Sequence, residues 1–175
     1  MIVTVNSLTQ ASAGADKSIR FGSQPRIEGQ PSGPVGSTYL WSPTVGLDNS
    51  PLAPNPAVSP DTSTTYTLLV TDTNGCMKEN EVVVKVNPLP VVEVTELPNY
   101  ICEGDSELIA VTAGFASYNW RPSNDIVSPD QSFSLVYPKF PSQYTVEVTD
   151  SNGCESEITI DVDVKPKPFV NAGIN

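Results

Sequence analysis

The sequence has 175 residues, with 17 prolines, 11 glycines and no histidine, and its 20 acidic and 9 basic residues give a formal net charge of −11. Phosphate backbones and anionic membranes are bound by clustered lysine and arginine, so this charge argues against nucleic-acid partners and membrane insertion. Without histidine, catalytic arrangements of the Ser-His-Asp and Cys-His kinds are excluded, and we expect no enzymatic activity.

Several segments alternate apolar and polar residues with the period of a β-strand. They are "TYTLLVTD", "ENEVVVKV", "QYTVEVTD" and "SEITIDVDV". No window keeps apolar residues at helical spacing, and prolines and glycines separate the strand-like segments. The sequence therefore predicts an all-β fold. In the second half of the chain, strands are expected near 98–102, 106–113, 116–121, 132–137, 143–150 and 154–164.

The same pattern occurs twice along the chain. "YLWSP" at 39–43 matches "YNWRP" at 118–122, and "TDTNGC" at 71–76 matches "TDSNGC" at 149–154. The copies keep their order and lie 78 or 79 residues apart. Such spacing indicates a tandem repeat. A repeat of about 80 residues with six or seven short strands is typical of a small immunoglobulin-like β-sandwich.

The repeat spacing divides the chain into four predicted segments. Residues 10–88 and 89–167 form repeats 1 and 2, joined by the proline-rich "NPLP" segment. Residues 1–9 are expected to be the last strand of a preceding repeat, because residues 5–16 align with residues 164–175. Residues 168–175 are then expected to begin a following repeat. Proline-rich junctions favour extended, semi-rigid linkers.

Two tryptophans and two tyrosines occupy equivalent places in the repeats. Trp41 and Trp120 lie on the third strand, and Tyr66 and Tyr144 open the penultimate strand, where a buried tyrosine corner is found in such sandwiches. A sugar-stacking platform is the alternative interpretation. The repeated placement favours core packing.

The Asn-Gly pairs at 74–75 and 152–153 favour tight hairpins with positive φ at both central residues. Asp72 and Asp150 precede these pairs and are placed to hydrogen-bond the turn backbone. The repeated hexapeptide is therefore expected to be architectural.

Three cysteines are present. Cys102, near the end of the first strand of repeat 2, and Cys154, at the start of its last strand, are expected to form a disulfide, because first and last strands of such sandwiches run side by side. Cys76 matches Cys154, but Arg20 stands opposite Cys102, so Cys76 is expected to remain unpaired. A Cys76–Cys102 bond is the alternative, although an intervening strand of about ten residues spans roughly 33 Å.

No cofactor is expected, but weak calcium binding is a second hypothesis, since oxygen donors lie near the expected sandwich ends. The candidate donors are Asp72, Asn74, Glu103, Asp105, Asp150 and Asn152. No EF-hand loop is present, and three cysteines at these spacings do not make a metal site. Acidic pairs such as Glu79/Glu81 are expected on a solvated strand face.

Tyr137 and Phe140 distinguish repeat 2 from repeat 1, where Ser59 and Thr62 occupy the matching places. They lie in "LVYPKFPS" and form a candidate contact patch for a partner protein. The alternative is that Phe140 packs beneath its own loop.

The motifs "YLWSPTVGLDN", "YTLLVTDTNGC" and "ICEGDS" resemble the PKD-like or immunoglobulin-like repeats of very large secreted surface proteins of Bacteroidetes, including SprB-type gliding-motility adhesins. The resemblance covers nearly all of residues 10–168. In repeat 2, "NWRPSNDIVSP" departs from the pattern by lacking Gly-Leu after the proline.

The resemblance implies export by the type IX secretion system to the cell surface and a structural or adhesive role in the stalk. The implied partners are neighbouring repeats, and a surface polysaccharide or another surface protein. Similar repeats also occur in secreted polysaccharide-degrading enzymes, so a spacer or carbohydrate-binding module is the alternative function.

Overall fold

A computed structural model describes residues 9–29, 32–48 and 50–168 of the chain. These residues form β-strands, turns and loops without any helix. The prediction of an all-β fold is confirmed. A helix able to span a bilayer is accordingly absent from the described ranges. The chain divides between Pro88 and Leu89 into two compact units, called unit 1 and unit 2 below.

Unit 1 contains a four-stranded sheet with the order β1-β4-β3-β2. The strands are β1 (Lys17–Arg20), β2 (Thr38–Ser42), β3 (Thr64–Thr71) and β4 (Met77–Asn87). The opposite layer has only two antiparallel bridges among its described residues, Arg26 with Ala57 and Leu47 with Val58. Pro25 and Pro56 adjoin the first bridge, and prolines cannot donate to a β-ladder, which explains why no longer strand forms there.

Unit 2 has the same plan with more regular strands. They are β5 (Val94–Glu96), β6 (Ile101–Cys102), β7 (Glu107–Val111), β8 (Ser117–Arg121), β9 (Phe133–Val136), β10 (Ser142–Thr149), β11 (Glu155–Val162) and β12 (Val164–Lys165). The sheets have the orders β11-β10-β8, β12-β6 and β5-β7-β9. The six predicted strands are present, and β5 was not predicted.

Strand registers show that the two units are equivalent. In each unit an early strand pairs in parallel with the last strand: β1 with β4, so that Arg20 lies opposite Asn87, and β6 with β12, so that Cys102 lies opposite Lys165. The last three long strands then pair antiparallel in the orders β2-β3-β4 and β8-β10-β11. Each unit is thus an immunoglobulin-like, PKD-like β-sandwich, as the sequence predicts.

Each unit has its own apolar core between the layers. Trp41 and Trp120 are 0% and 1% exposed, so both are core residues and neither is a sugar-stacking platform. Their indole N–H groups donate to equivalent carbonyls, those of Ala53 at 2.9 Å and Gln131 at 2.8 Å. The tryptophans pack in a cluster of buried residues from the sheet and the opposite layer, which in unit 1 includes Ile19, Ile27, Val58, Tyr66, Leu68, Val70, Val82 and Val84.

The two core tyrosines are both buried but differ at the hydroxyl. Tyr66 donates a 2.8 Å hydrogen bond to the carbonyl of Val45, which lies 21 residues upstream in a loop of the unit. It therefore ties the penultimate strand to that loop rather than to the bend just before it. No corresponding bond is formed by Tyr144 among the described residues. The residue after Val45 is Gly46, and Asp125 takes its place in unit 2 with a positive φ of 61°.

Thr9 corrects one predicted boundary by a single residue. It was assigned to the preceding repeat, but it is buried in unit 1, and its hydroxyl donates a 2.6 Å hydrogen bond to Asp72 Oδ2. The other ends, residues 1–8 and 169–175, lie outside the described residues. Their assignment to neighbouring repeats stays a prediction.

Candidate interaction surfaces

The repeated hexapeptide forms a turn closed by an aspartate. In unit 1, Asp72 Oδ1 accepts hydrogen bonds from the backbone N–H groups of Asn74 at 2.8 Å and Cys76 at 2.9 Å. In unit 2, Asp150 Oδ1 accepts the equivalent bonds from Asn152 and Cys154, each at 2.8 Å. The prediction that these aspartates bind the turn backbone is confirmed.

The conformation of the turn differs from the predicted one. Gly75 and Gly153 have positive φ, but Asn74 and Asn152 do not. The glycine N–H donates to the carbonyl of the aspartate three residues earlier, which is the pattern of a type I turn followed by a left-handed glycine. The expectation of positive φ at both central residues was wrong because a three-residue loop needs only one left-handed position.

The hydrogen bonds to these carboxylates stabilise their charged form. The Thr9 hydroxyl and then the Cys76 N–H lower the pKa of Asp72, and the Cys154 N–H is the main cause that lowers the pKa of Asp150. Much of the acceptor capacity of both carboxylates is therefore used within the turn. We conclude that the hexapeptide is an architectural element.

The other proposed calcium donors do not gather into a site. Asp105 Oδ1 accepts a hydrogen bond from Lys167 Nζ at 3.0 Å, and Glu103 lines a groove with Phe140 and Pro166. Within residues 9–29, 32–48 and 50–168, no three acidic or cysteine side chains are grouped so that they could hold a metal ion. Calcium binding stays an untested prediction.

The predicted disulfide between Cys102 and Cys154 is not formed, and no disulfide occurs among the described residues. The first and last strands are neighbours as expected, but they are parallel, and Cys102 lies opposite Lys165. Cys154 precedes the eight-residue strand β11, which alone extends by about 25 Å. A disulfide bridges Cα atoms only about 4.4–6.8 Å apart. The prediction was wrong because the parallel register places Cys102 beside the end of the last strand, whereas Cys154 lies at its start. Cys76 is half-buried and also forms no disulfide.

Tyr137 and Phe140 are both exposed. Phe140 is 76% exposed, which overturns the alternative that it packs beneath its own loop. It borders a groove of about 140 Å³ with Pro141, Val164 and Pro166. Tyr137 is 45% exposed and directly follows β9.

Tyr137 belongs to a wider apolar surface that sequence reasoning missed. Phe133 and Leu135 alternate with buried Ser134 and Val136 along β9, so their side chains point outward. Tyr137 follows in the same alternation and lies on the same outer side. Leu108 lies opposite Leu135 on β7, and Val127 donates its N–H to the Leu135 carbonyl. We call this surface the unit 2 stripe: Leu108, Val127, Phe133, Leu135 and Tyr137, all exposed.

The equivalent surface of unit 1 is polar. The equivalent residues are found from the strand pairing. Arg26 pairs with Ala57 in unit 1 as Leu108 pairs with Leu135 in unit 2, so Arg26 matches Leu108 and Ala57 matches Leu135. Arg26 Nη1 donates to the Asn55 carbonyl at 3.0 Å, and Asn55 Nδ2 donates to Glu28 at 3.1 Å. The shared fold does not require an apolar stripe at this place. The stripe is therefore a candidate interaction surface of unit 2 alone.

No protein-family model and no curated protein matches the chain. Solved structures with a similar fold include the N-terminal four Ig domains of Dscam1 (8% identity, TM-score 0.41, covering 90% of this chain and 46% of that one). Others are the insect immune protein hemolin (14%, 0.43, 88% and 46%) and the PKD domain from the KIAA 1837 protein (24%, 0.39, 49% and 93%). The chain thus spans about half the length of the four-domain Dscam1 structure and of the hemolin structure. These likenesses carry no argument about function, and the fold assignment rests on the strand pairing above.

Proposed function

We propose that the two units are structural and adhesive repeats from the stalk of a very large cell-surface adhesin. One observation carries the proposal: the units share their buried residues and their aspartate-closed turn, whereas their outward-facing residues differ. A repeated scaffold with changing surfaces suits an array that extends from the cell and contacts other molecules with particular repeats. The features that the two units have in common are structural and not catalytic.

The finer assignment is a gliding-motility adhesin exported by the type IX secretion system and displayed on the cell surface. It is supported by the similarity of the "YLWSP" and "YTLLVTDTNGC" motifs to repeats of such adhesins. The proposed partner is another surface protein, bound through the unit 2 stripe, because Phe133, Leu135 and Tyr137 form an exposed apolar surface with aromatic anchors.

The second candidate is a carbohydrate-binding or spacer module of a secreted polysaccharide-degrading enzyme. The exposed ring of Phe140, beside a small groove, favours it, because exposed aromatic rings stack on sugars. A surface polysaccharide would then be the ligand. The buried Trp41 and Trp120 cannot contribute to such a platform.

The test uses antibodies raised against the 175-residue chain. Labelling of intact cells of the source organism, lost when type IX secretion is disabled, is the expected result. Cell adhesion should be inhibited by the added chain but not by a variant with Phe133→Asn, Leu135→Ala and Tyr137→Ser, which carries the residues of unit 1. Intracellular labelling only would contradict the proposal. Glycan-array binding abolished by Phe140→Thr would favour the second candidate.

A further inference from the structure

The repeated hexapeptide contains a chemically labile Asn-Gly pair in each unit. The pairs are Asn74-Gly75 and Asn152-Gly153, and the sequence has no others. In such a pair the backbone nitrogen of the glycine can attack the side-chain amide of the asparagine, because glycine has no side chain to hinder it. Both asparagines are exposed to the water that the reaction consumes.

The reaction is deamidation through a cyclic imide. In unit 1 a bond forms between Gly75 N and Asn74 Cγ, and the bond between Cγ and Nδ2 breaks. The amide group leaves as ammonia, taking the proton of the glycine nitrogen. Water then opens the ring at one of its two carbonyls. Opening at the side-chain carbonyl gives aspartate, and opening at the main-chain carbonyl gives isoaspartate, whose backbone is one methylene longer.

The closed turn keeps the glycine nitrogen away from this reaction. Ring closure needs the glycine nitrogen to be eclipsed with the asparagine Cβ about the Cα–C bond. The third residue of a type I turn instead has ψ of about 0°, which eclipses the glycine nitrogen with the asparagine's own backbone nitrogen. The N–H groups of Gly75 and Gly153 are also engaged, since they donate to the carbonyls of Asp72 and Asp150, each at 3.0 Å. The imide therefore forms only after the turn has opened.

Hydrogen bonds to one carboxylate keep the turn of unit 1 closed. A Cβ added at Gly75 would meet no atom within 4 Å, so packing does not hold the tip of this turn. Asp72 Oδ1 accepts from the N–H groups of Asn74 and Cys76, which lie on either side of the labile peptide. Removal of this carboxylate would leave both N–H groups without their partner and would favour opening.

We propose that Asn74 and Asn152 are deamidation sites gated by the carboxylates of Asp72 and Asp150. While the turn is closed the asparagine stays intact, and each opening of the turn exposes it to imide formation. The product persists, because isoaspartate lengthens the segment between Asp72 and Cys76 that the carboxylate spans. The aspartate thus protects the turn chemically as well as shaping it.

The two gates differ at the second oxygen of the carboxylate. Asp72 Oδ2 accepts from the Thr9 hydroxyl at 2.6 Å, whereas Asp150 Oδ2 accepts from Asn152 Nδ2 at 3.3 Å. The gate of unit 1 is therefore held by a residue from the start of the unit, and that of unit 2 is held by the asparagine itself. Loss of the Thr9 hydroxyl should release Asn74 alone.

Peptide mapping by mass spectrometry, with digestion at acidic pH, follows both asparagines while the chain is incubated at mildly alkaline pH. In the folded wild type each should react at least about tenfold more slowly than in guanidinium chloride, because the turn must first open. Asp72→Ala should raise the rate at Asn74 at least about tenfold and leave Asn152 unchanged, since two bonds to a charged acceptor are lost. Asp72→Asn should keep most of the protection, because its amide oxygen accepts the same two bonds.

A second comparison leaves the aspartate in place. Thr9→Val removes one hydrogen bond from the gate and should raise the rate at Asn74 about fivefold. Tyr66→Phe, the matched control, removes one hydrogen bond from the core of the same unit and should leave this rate unchanged.

Equal rates in the folded and unfolded wild type would overturn the proposal. So would an unchanged Asn74 rate in Asp72→Ala. A rise in Thr9→Val no larger than that in Tyr66→Phe would also overturn it, because unfolding of the whole unit, and not the turn, would then control the site.

Discussion

The two units build the same sandwich but place their apolar outer surfaces on opposite layers. Unit 1 is apolar on the sheet that contains β2 and β3, and unit 2 is apolar on the sheet that contains β7 and β9. At the equivalent places the other unit carries polar or charged groups, except for the buried Ala57 of unit 1 at the place of Leu135. The fold therefore depends on the inward residues and the turns, while the outer faces vary between repeats.

The largest expected effects concern the shared core. Trp41→Ala and Trp120→Ala should each lower the free energy of unfolding of the unit that carries the change by about 3–5 kcal/mol. The reason is the loss of a fully buried indole and of its hydrogen bond to a loop carbonyl. Hydrogen exchange measured by mass spectrometry assigns the loss to one unit. Losses that differ by more than about 2 kcal/mol would contradict the equivalence of the two cores.

The next largest effect on stability is expected at Gly46, the position after Val45, where the two units differ. Gly46 has φ +76°, and a Cβ there would meet Pro60 Cα at 2.8 Å and the Tyr66 hydroxyl at 2.9 Å. Gly46→Ala should therefore cost about 2 kcal/mol or more, because both the backbone and the space oppose it. Asp125 already holds the left-handed conformation in unit 2.

Asp125→Gly, the reverse change, should alter stability by less than about 1 kcal/mol, since relief of strain is offset by the flexibility of glycine. Urea unfolding followed by fluorescence measures both variants. A Trp120→Phe background leaves Trp41 as the probe of unit 1, and Trp41→Phe leaves Trp120 for unit 2. A loss of stability from Asp125→Gly as large as that from Gly46→Ala would show that the two positions do not differ in their need for glycine.

A smaller difference is expected at the core tyrosines. Tyr66→Phe removes the hydrogen bond to the Val45 carbonyl and should cost about 1 kcal/mol. Tyr144→Phe removes no matching bond and should be nearly neutral. Paired urea titrations check the two changes. An equal cost at both positions would show that the hydroxyls have equivalent partners.

High pH should affect unit 2 more than unit 1. Burial, then the nearby charges of Asp125 and Tyr137, raises the pKa of Tyr144 to about 12 from its ordinary value of 10.0. Since the folded state binds this proton more tightly, its stabilising effect is complete below pH 10 and is lost as the pH rises toward about 12. Burial also raises the pKa of Tyr66. In unit 1, however, Gly46 and Ser59 stand at the places of Asp125 and Tyr137, so Tyr66 lacks the two charged neighbours that further raise the pKa of Tyr144.

Unfolding measured between pH 9 and pH 12 by circular dichroism should therefore show a steeper alkaline loss for unit 2, and Tyr144→Phe should flatten it. Tyr66→Phe is the matched control for unit 1. An alkaline loss in unit 2 that survives Tyr144→Phe would assign the effect to another group.

The strands and core were predictable because alternation and repeat spacing are local properties of the sequence. The 116–121 prediction became β8 at Ser117–Arg121, and the tryptophans were correctly assigned to the core. The Cys102–Cys154 bond failed because alternation does not distinguish parallel from antiparallel pairing of the outer strands. Strand β5 was missed because Val94–Glu96 is only three residues long and all three are exposed.

The candidate surfaces were only partly predictable. Tyr137 was singled out because its counterpart in unit 1 is polar, and the same comparison along all of β9 would have found Phe133 and Leu135. The apolar outer face of the unit 1 sheet was missed because Leu40 and Leu69 are distant in sequence and lie in segments that also supply core residues. Only the register of β2 with β3 shows that they share an outer face.

The separation of a shared scaffold from variable faces is tested most directly by exchanging one face. The variant replaces Leu40, Leu52, Leu69 and Met77 with Asn, Asp, Glu and Glu, the residues that unit 2 has at these places. Urea unfolding at low concentration should give a free energy of unfolding for unit 1 within about 1 kcal/mol of the wild type, as expected for exposed positions. A loss of about 3 kcal/mol or more, comparable to that of Trp41→Ala, would show that this face belongs to the folding core and would contradict the account.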